Sequence, residues 1–505
     1  MGQQAMRMTE RHWSSRHRDY PSASRVLRFG RRIALLVILG GCSHALPDIN
    51  GAPAAPPSRS EPWRPPAGSV PPEPKRASPP VAADTGLFSG PLVLGQVVDI
   101  ALRNNPQTQL TWSQARVGAA SYGAAAAAYV PTVDATSNIV RSQTASQQDN
   151  SRRTTITPTA SLSYLLFDFG GRSGTVAAAR AAAVALDLNH NASLQNVALQ
   201  AQAAYFTHQA QTGLVGAARL TLAEADTNLA SAQQRNRAGV ATIADVLQAE
   251  VQVAQAQLDL ESAEGNAQTS RGTLAVAMGL PANARFNLAT MSDTISIDAT
   301  LTGVDTLIDR ALVLRPDLAA LRAQIQQAQA QVRVARSAEL PAVVLGANVG
   351  KSFSDVANFQ GLNYSVTLGI QLPIFNLARQ YNLTGARAQA DVASARADVL
   401  RVQVGQQVYA AYYAFQTAAA RARTSDVLLA RATQSETVAR ARYRAGVGTI
   451  VDLVTAQTAL ANARAQRAQS RWVWANALAQ LSHDVGVLGP RGQTGTTLDS
   501  AGIRR

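Results

Sequence analysis

A single cysteine, Cys42, in 505 residues excludes any disulfide within the chain. Aromatic residues are 5% and charged residues 15% of the total, which does not suit one ordinary globular core of this length. No run of roughly 18 or more apolar residues occurs, so no helix is expected to span a membrane. A β-barrel is not excluded, because each strand needs only about ten residues of alternating polarity. The six histidines, His12, His17, His44, His190, His208 and His483, do not pair with a Cys or carboxylate cluster at metal-ligand spacing, and no cofactor is expected. Phe169-Gly170-Gly171-Arg172-Ser173-Gly174 lacks the Gly-Lys-Ser/Thr ending of a phosphate loop and reads as a strand-to-helix corner. No nucleophile elbow or catalytic acid pair appears, so the chain is not expected to be an enzyme. The net charge of +14 invites a nucleic-acid reading, but the arginines are scattered and no nucleic-acid-binding motif accompanies them. No nucleic-acid partner is expected.

Part of the positive excess belongs to the amino-terminal segment, where residues 1–41 hold eight Lys or Arg against two acids. Arg25, Arg28, Arg31 and Arg32 precede the apolar run Ile33–Leu39, and Gly40, Gly41 and Cys42 follow. A charged region, a short apolar region and small residues describe a secretory signal. Leu39-Gly40-Gly41-Cys42 resembles a bacterial lipobox, which implies a lipoprotein signal peptide over 1–41 and acylation of Cys42. Ser43, rather than Asp, follows it, which resembles an outer-membrane address. Residues 42–90 are proline-rich, with Pro56-Pro57, Pro65-Pro66, Pro71-Pro72 and Pro79-Pro80, and read as an extended tether. Residues 490–505 read as a disordered tail.

Between these segments the chain repeats itself. Arg237-Ala238-Gly239-Val240-Ala241-Thr242-Ile243-Ala244-Asp245-Val246 recurs as Arg444-Ala445-Gly446-Val447-Gly448-Thr449-Ile450-Val451-Asp452-Leu453, 207 positions later. Asn105-Pro106 matches Arg315-Pro316, Pro131 matches Pro341, and Phe167-Asp168 matches Phe375-Asn376. Agreement in order at separated landmarks indicates a tandem duplication, residues 91–300 and 301–489. Each half reads as helix, strand, strand, long helix, tight turn, helix. The long helices, about Arg172 to Arg237 and Arg379 to Arg444, are rich in the good helix formers Ala, Leu, Gln and Arg. Each spans ~100 Å at 1.5 Å per residue, so they belong in a bundle of similar helices. Gly239 and Gly446 break them. Thr242 and Thr449 cap the return helices, with Asp245 and Asp452 in the first turns.

The strands carry a membrane signal. From Leu362 to Leu372, Leu362, Tyr364, Val366, Leu368, Ile370 and Leu372 alternate with Asn363, Ser365, Thr367, Gly369 and Gln371, so one face is apolar and the other carries small polar groups. Ile156 to Leu166 alternates likewise, and Thr132 to Val140 and Ala342 to Gly350 do so more weakly. A lipid-facing, water-lined barrel accounts for both faces. Four strands cannot close a barrel and open edges are forbidden in lipid, so several chains must share one.

Two tandem halves, two strand pairs, two very long helices and two such tips resemble the outer-membrane factors of TolC type, and the Cys42 lipobox resembles their lipoprotein branch. The resemblance implies an α+β membrane protein: a homotrimer whose four strands per chain form a twelve-stranded β-barrel in outer-membrane lipid, continued by a long α-helical tunnel through the periplasm. It implies a passive duct for small toxic compounds or drugs, driven by an inner-membrane transporter through a periplasmic adaptor protein. At the tips it implies a channel gate at Asp452, Tyr443 and Asp245, with Asp452 in a threefold acidic ring or, on its own chemistry, only a helix cap. The arginine partner of the latch falls on Gly448, and the second acidic position on Thr455. Gly239, Val240, Gly446 and Val447 are candidate adaptor contacts, or simple turn residues. A duct for type I protein secretion would carry the same motifs. A non-porous periplasmic coiled coil is the third alternative, against which the strands argue.

Overall fold

Proline sets the first boundaries in each half. The computed structural model describes residues 90–145, 150–289, 300–301, 303–355, 361–488 and 503–504. The expected signal peptide, Cys42, the proline-rich tether up to residue 89 and nearly all of the 490–505 tail lie outside the described residues. Helix α1 (Leu94–Asn104) stops before Pro106, and α2 (Pro106–Ala126) starts on it. The residue before a proline is driven out of the helical region, and Asn105 is extended at φ −65°, ψ 126°. Its side chain accepts from Gln107 N at 2.9 Å and caps α2. Later in the chain α5 (Val304–Leu314) and α6 (Pro316–Ser337) meet the same way across extended Arg315. The single opening helix read from the sequence is therefore two helices in each half, because proline leaves i−4 hydrogen bonding broken at that point.

Strands β1 (Thr132–Ala145) and β2 (Asn150–Phe167) follow α2, and β3 (Ala342–Ser354) and β4 (Gly361–Gln371) follow α6. They form one antiparallel sheet in the order β1-β2-β3-β4, leaving β1 and β4 as edges. Registers such as Ile139↔Ile156, Ala160↔Val349 and Val349↔Tyr364 put Val133, Ile139, Ile156, Leu162, Tyr164, Leu345, Val349, Leu362, Tyr364, Val366, Leu368 and Ile370 on one face. The opposite face carries Asp134, Asn138, Thr157, Ser161, Ser163, Asn348, Asn363, Ser365 and Thr367. The alternation read from sequence is borne out. Among the described residues no helix covers the apolar face of β4, where Tyr364 is 79% exposed. Three strands run further than expected at the ends away from the helices, and β4 ends at Gln371 rather than Leu372, just before Pro373, which lacks an N–H for the ladder. A separate two-residue pairing joins Thr300–Leu301 to Ile503–Arg504.

The corner after β2 turns on Phe169 (φ 51°) and Gly170 (φ 97°). The Asp168 carboxylate accepts from Arg172 N in the first turn of α3 (Gly171–Arg237, 67 residues), and Asn376 caps α7 (Leu377–Arg444, 68 residues), accepting from Ala378 N at 3.1 Å. Arg172 and Arg379, in those first turns, reach back to the carbonyls of Ala128 and Ala338. The glycine-rich stretch is thus a strand-to-helix corner. Helix α3 packs against α1, α2, α4 (Ile243–Ala277), α6 and α8 (Ile450–Asp484), and α7 against α5, α6 and α8. Buried alanines, including Ala198, Ala201, Ala204, Ala418 and Ala422, let these backbones approach closely.

The main core lies where α1, α5 and the ends of α4 and α8 gather on the middle of the long helices, around Ile100, Tyr205, Leu274, Leu307, Val408, Phe415, Trp474 and Leu481. At both joints a glycine in the left-handed region makes close approach possible. Gly279 (φ +75°) lies against Asn104, where an added Cβ would stand 2.5 Å from its carbonyl, and Gly486 (φ +84°) lies on Arg315. Buried Arg315 also donates to Asp317 Oδ2 and to Gln407 Oε1, each at 2.7 Å, which fixes α5, α6 and α7 together.

Candidate functional site

Each long helix ends in the same turn. Gly239 N donates to Asn236 O at 2.9 Å and Val240 N to Arg235 O at 3.0 Å; Gly446 N donates to Tyr443 O at 3.1 Å and Val447 N to Arg442 O at 3.0 Å. This is a Schellman closure, which needs a left-handed residue one past the cap. Gly239 and Gly446 supply it at φ +72° and +76°. The residue after each glycine stands out from the tip, with Val240 64% and Val447 68% exposed. The four residues expected to meet an adaptor are therefore at the surface of the two turns.

The return helices begin with reciprocal caps. Thr242 N donates to Asp245 Oδ2 at 2.8 Å, and Asp245 N to Thr242 Oγ1 at 3.3 Å. Thr449 N donates to Asp452 Oδ2 at 3.1 Å, and Asp452 N to Thr449 Oγ1 at 3.2 Å. Two orphan donors are satisfied by each pair. The Thr449 hydrogen bonds, from side chain and backbone, hold the Asp452 carboxyl below its usual range, helped by the charge of Arg442. Asp452 is exposed, and beside it Gly448, Thr455 and Arg442 line a shallow groove between α7 and α8.

Tyr443 behaves differently from its neighbours. It is 4% exposed, packed with Ile450 and Leu453 against the turn. Its hydroxyl has no hydrogen-bond partner among the described residues. Burial, and then the nearby charge of Asp245, push its pKa up, and the Arg235 charge opposes them. The Asp245 carboxylate acts on Tyr443 through space while its oxygen is engaged by the Thr242 amide. A residue that the sequence reading missed completes the cluster. Arg235, at the end of α3, donates to the carbonyl oxygens of Tyr443 and Arg444, and its guanidinium carbon sits 4.6 Å from the centre of the Tyr443 ring. Gly448 leaves the expected arginine absent from the second turn; Arg235 brings one from the first hairpin. Its only sequence signal is its place two residues before Arg237, and nothing in the spacing says that it reaches across to α7. Higher up, Arg464 on α8 and Glu224 on α3 form a two-pronged pair at 2.7 and 2.9 Å.

Among the described residues no group of His, Cys, Asp or Glu is arranged to hold a metal, and no helix is long and apolar enough to cross a membrane. The arrangement is one of joints and caps, suited to holding or releasing two hairpin ends.

The chain is 30% identical over 386 residues to Protein CyaE of Bordetella pertussis, covering 74% of this chain and 79% of that protein. It is 28% identical over 260 residues to the pyoverdine export outer membrane protein OpmQ of Pseudomonas putida, about half of each chain (50% and 53%). The solved Campylobacter jejuni CmeC outer membrane channel superposes with a TM-score of 0.72 at 18% identity, covering 81% of this chain and 89% of that one, so the two share a fold. The family model described as outer membrane efflux protein matches residues 97–280 and 307–487, the two stretches that carry the joints, corners and tips. The chain belongs to that family of outer-membrane channel proteins.

Proposed function

We propose that three copies of this chain form one passive export duct, with three four-stranded sheets closing a twelve-stranded barrel and the long helices continuing it through the periplasm. The observation that carries this reading is the sheet itself. It has one apolar face, one polar face and two edges, β1 and β4. Exposed ladder groups cost several kcal/mol each in lipid, so copies must join edge to edge, and three copies give a number of strands compatible with a water-filled lumen. We read the repeated element order, residues 91–300 and 301–489, as a tandem duplication, with 1–41 as signal peptide, Cys42 as lipid attachment point, 42–90 as tether and 490–505 as tail.

In this reading the duct carries small toxic compounds, as part of a tripartite system with a periplasmic adaptor and an inner-membrane transporter that supplies the energy. A relative named for pyoverdine export supports small-molecule cargo. Gly239, Val240, Gly446 and Val447 meet the adaptor. Tyr443 and Asp245, with Arg235 added, hold the tips closed, and Asp452 contributes one carboxylate of three to the aperture.

A photo-crosslinker at Val447 tests this in cells. Capture of an adaptor that works with a proton-driven pump is expected. Capture of one paired with an ATP-driven protein exporter would replace small-molecule efflux with protein secretion. Absence of any adaptor with all partners present would refute the docking role of the tips.

A further inference from the structure

On the apolar face of the sheet, charge lies only toward the ends of β1, β2 and β3 that point away from the helices. Arg141 on β1, Arg152 on β2 and Lys351 on β3 are all exposed. Pairing places all three on the face shared by Ile139, Ile156 and Tyr364: Arg141 lies opposite Thr154, Arg152 opposite Gln143, and Lys351 opposite Leu362. Each stands within four residues of a strand end, at Ala145, Asn150 or Ser354, on the side away from the helices. The helix-side end of the same face carries Val133, Tyr164, Phe167, Val343 and Ile370, without charge. The four strands contain one acid, Asp134, and it is on the other face. Arg152 Nε donates to Gln143 Oε1 at 3.2 Å, and Lys351 Nζ sits 5.1 Å from the centre of the Phe353 ring. Both partners lie on the same face.

Resting on the barrel reading, this face meets lipid and the charged end meets the outer headgroup layer. The cost of a base on the lipid face is steep at the midplane and nearly vanishes at the interface, which fits bases confined to one end. We propose that Arg141, Arg152 and Lys351 bind the phosphate groups of a bisphosphorylated acyl glycolipid in the outer leaflet. Guanidinium groups match phosphate bidentately, and lysine adds a point charge. The registers set Arg141 and Arg152 ~8 Å apart at the backbone and Lys351 roughly 17–20 Å from them, so the arginine pair and the lysine are too far apart for the single phosphate of one phospholipid and suit a headgroup with two. On the same face Ile139, Ile156, Val349 and Leu362 offer apolar surface to the acyl chains. The site would recur three times around the trimer.

The test uses the purified full-length trimer with diphosphoryl lipid A as probe, and monophosphoryl lipid A and phosphatidylglycerol as competitors, read by native mass spectrometry. The variant combines Arg141→Gln, Arg152→Gln and Lys351→Gln; Arg153→Gln, on the opposite face, is the control. Binding of the diphosphoryl lipid should fall about tenfold or more in the triple variant, stay unchanged in the control, and be weaker for the monophosphoryl form. Should the triple variant fail to assemble, Arg141→Gln and Lys351→Gln alone should each weaken binding severalfold. Equal binding by wild type and triple variant, or equal competition by phosphatidylglycerol, would overturn the proposal while ion conduction by the trimer keeps the barrel reading intact. A wild-type chain that neither trimerises nor conducts would sink the barrel reading and this site with it.

Discussion

Removing Arg235 tests what holds the tip of the second hairpin. Its guanidinium joins α3 to the carboxyl end of α7 through the carbonyls of Tyr443 and Arg444 and the face of the Tyr443 ring. A hydrogen bond from a charged donor contributes roughly 1.5–3 kcal/mol when well buried, and a half-exposed cation–π contact about 0.5–1. Arg235 is half-buried and the Arg444 contact is long, at 3.4 Å, so a total of about 2 kcal/mol per chain is reasonable. That corresponds to ~30-fold in the balance between closed and dilated tips. Single-channel recording in planar bilayers should therefore show a large rise in open probability for Arg235→Ala. Arg235→Lys should fall between, since an ammonium cannot span two carbonyls and the ring as the planar fork does. Tyr443→Phe should leave gating within about twofold of wild type, because the hydroxyl has no partner among the described residues to lose, whereas Tyr443→Leu should resemble Arg235→Ala. Wild-type gating in Arg235→Ala would refute the clamp. Wide opening in Tyr443→Phe would show that the hydroxyl, bonded to a neighbouring chain, is what closes the tip.

Two further outcomes follow from local geometry. Gly279→Ala should destabilise the chain by about 3 kcal/mol, combining left-handed strain with the Asn104 clash, while Gly239→Ala at a similar φ but in open space should cost only about 1; comparative thermal unfolding separates them. For Asp452, the native pKa is depressed by Thr449, so its stabilising contribution is present above the ordinary carboxylate pKa and is lost as pH falls through the depressed value. Thr449→Val should shift the Asp452 carboxyl titration, followed by NMR, upward toward the ordinary value, and an unmoved midpoint would remove the cap as its cause.

The long helices, their breaks and their caps were legible because each depends on neighbours in sequence. Ala-rich runs favour helix, Gly239 and Gly446 end them, and Thr-x-x-Asp starts the next. The distal strand ends were not. Alternation of apolar residues fades after Val140, before Ile156 and after Gly350, yet the ladder continues to Ala145, from Asn150 and to Ser354. Backbone pairing needs a partner strand rather than an apolar side chain, so a pattern built on hydrophobicity stops short. Helices α1 and α5 merge with their successors in the sequence reading, because Asn105-Pro106 and Arg315-Pro316 serve there only as landmarks of the repeat and not as the helix stop that a proline imposes on the residue before it. Arg235 was invisible for a third reason: its contacts cross 208 and 209 positions of sequence.

The two tips also show why matched sequence positions need not do the same work. Arg235 and Tyr443 lie in different halves; the position matching Arg235 is Arg442, and the one matching Tyr443 is Asn236. Asn236 turns inward and donates to Ala241 O at 2.9 Å, closing its own turn. The Tyr443 side chain does not bond its own turn; its ring face, and its carbonyl oxygen, which also accepts from Gly446 N, meet an arginine from the other hairpin. Arg442 lies over Gly448, where an added Cβ would stand 3.1 Å from its own Cβ, and its charge reaches Asp452. The first tip is thus closed on itself, and the second is held in part by the first. A force that pulls Arg235 away frees the α7–α8 end without unmaking the Schellman turn, the Thr449 cap or the core at Phe415 and Trp474. In the proposed duct, motion at the aperture would then belong to the second hairpin, with the first as the fixed post to which it is tied.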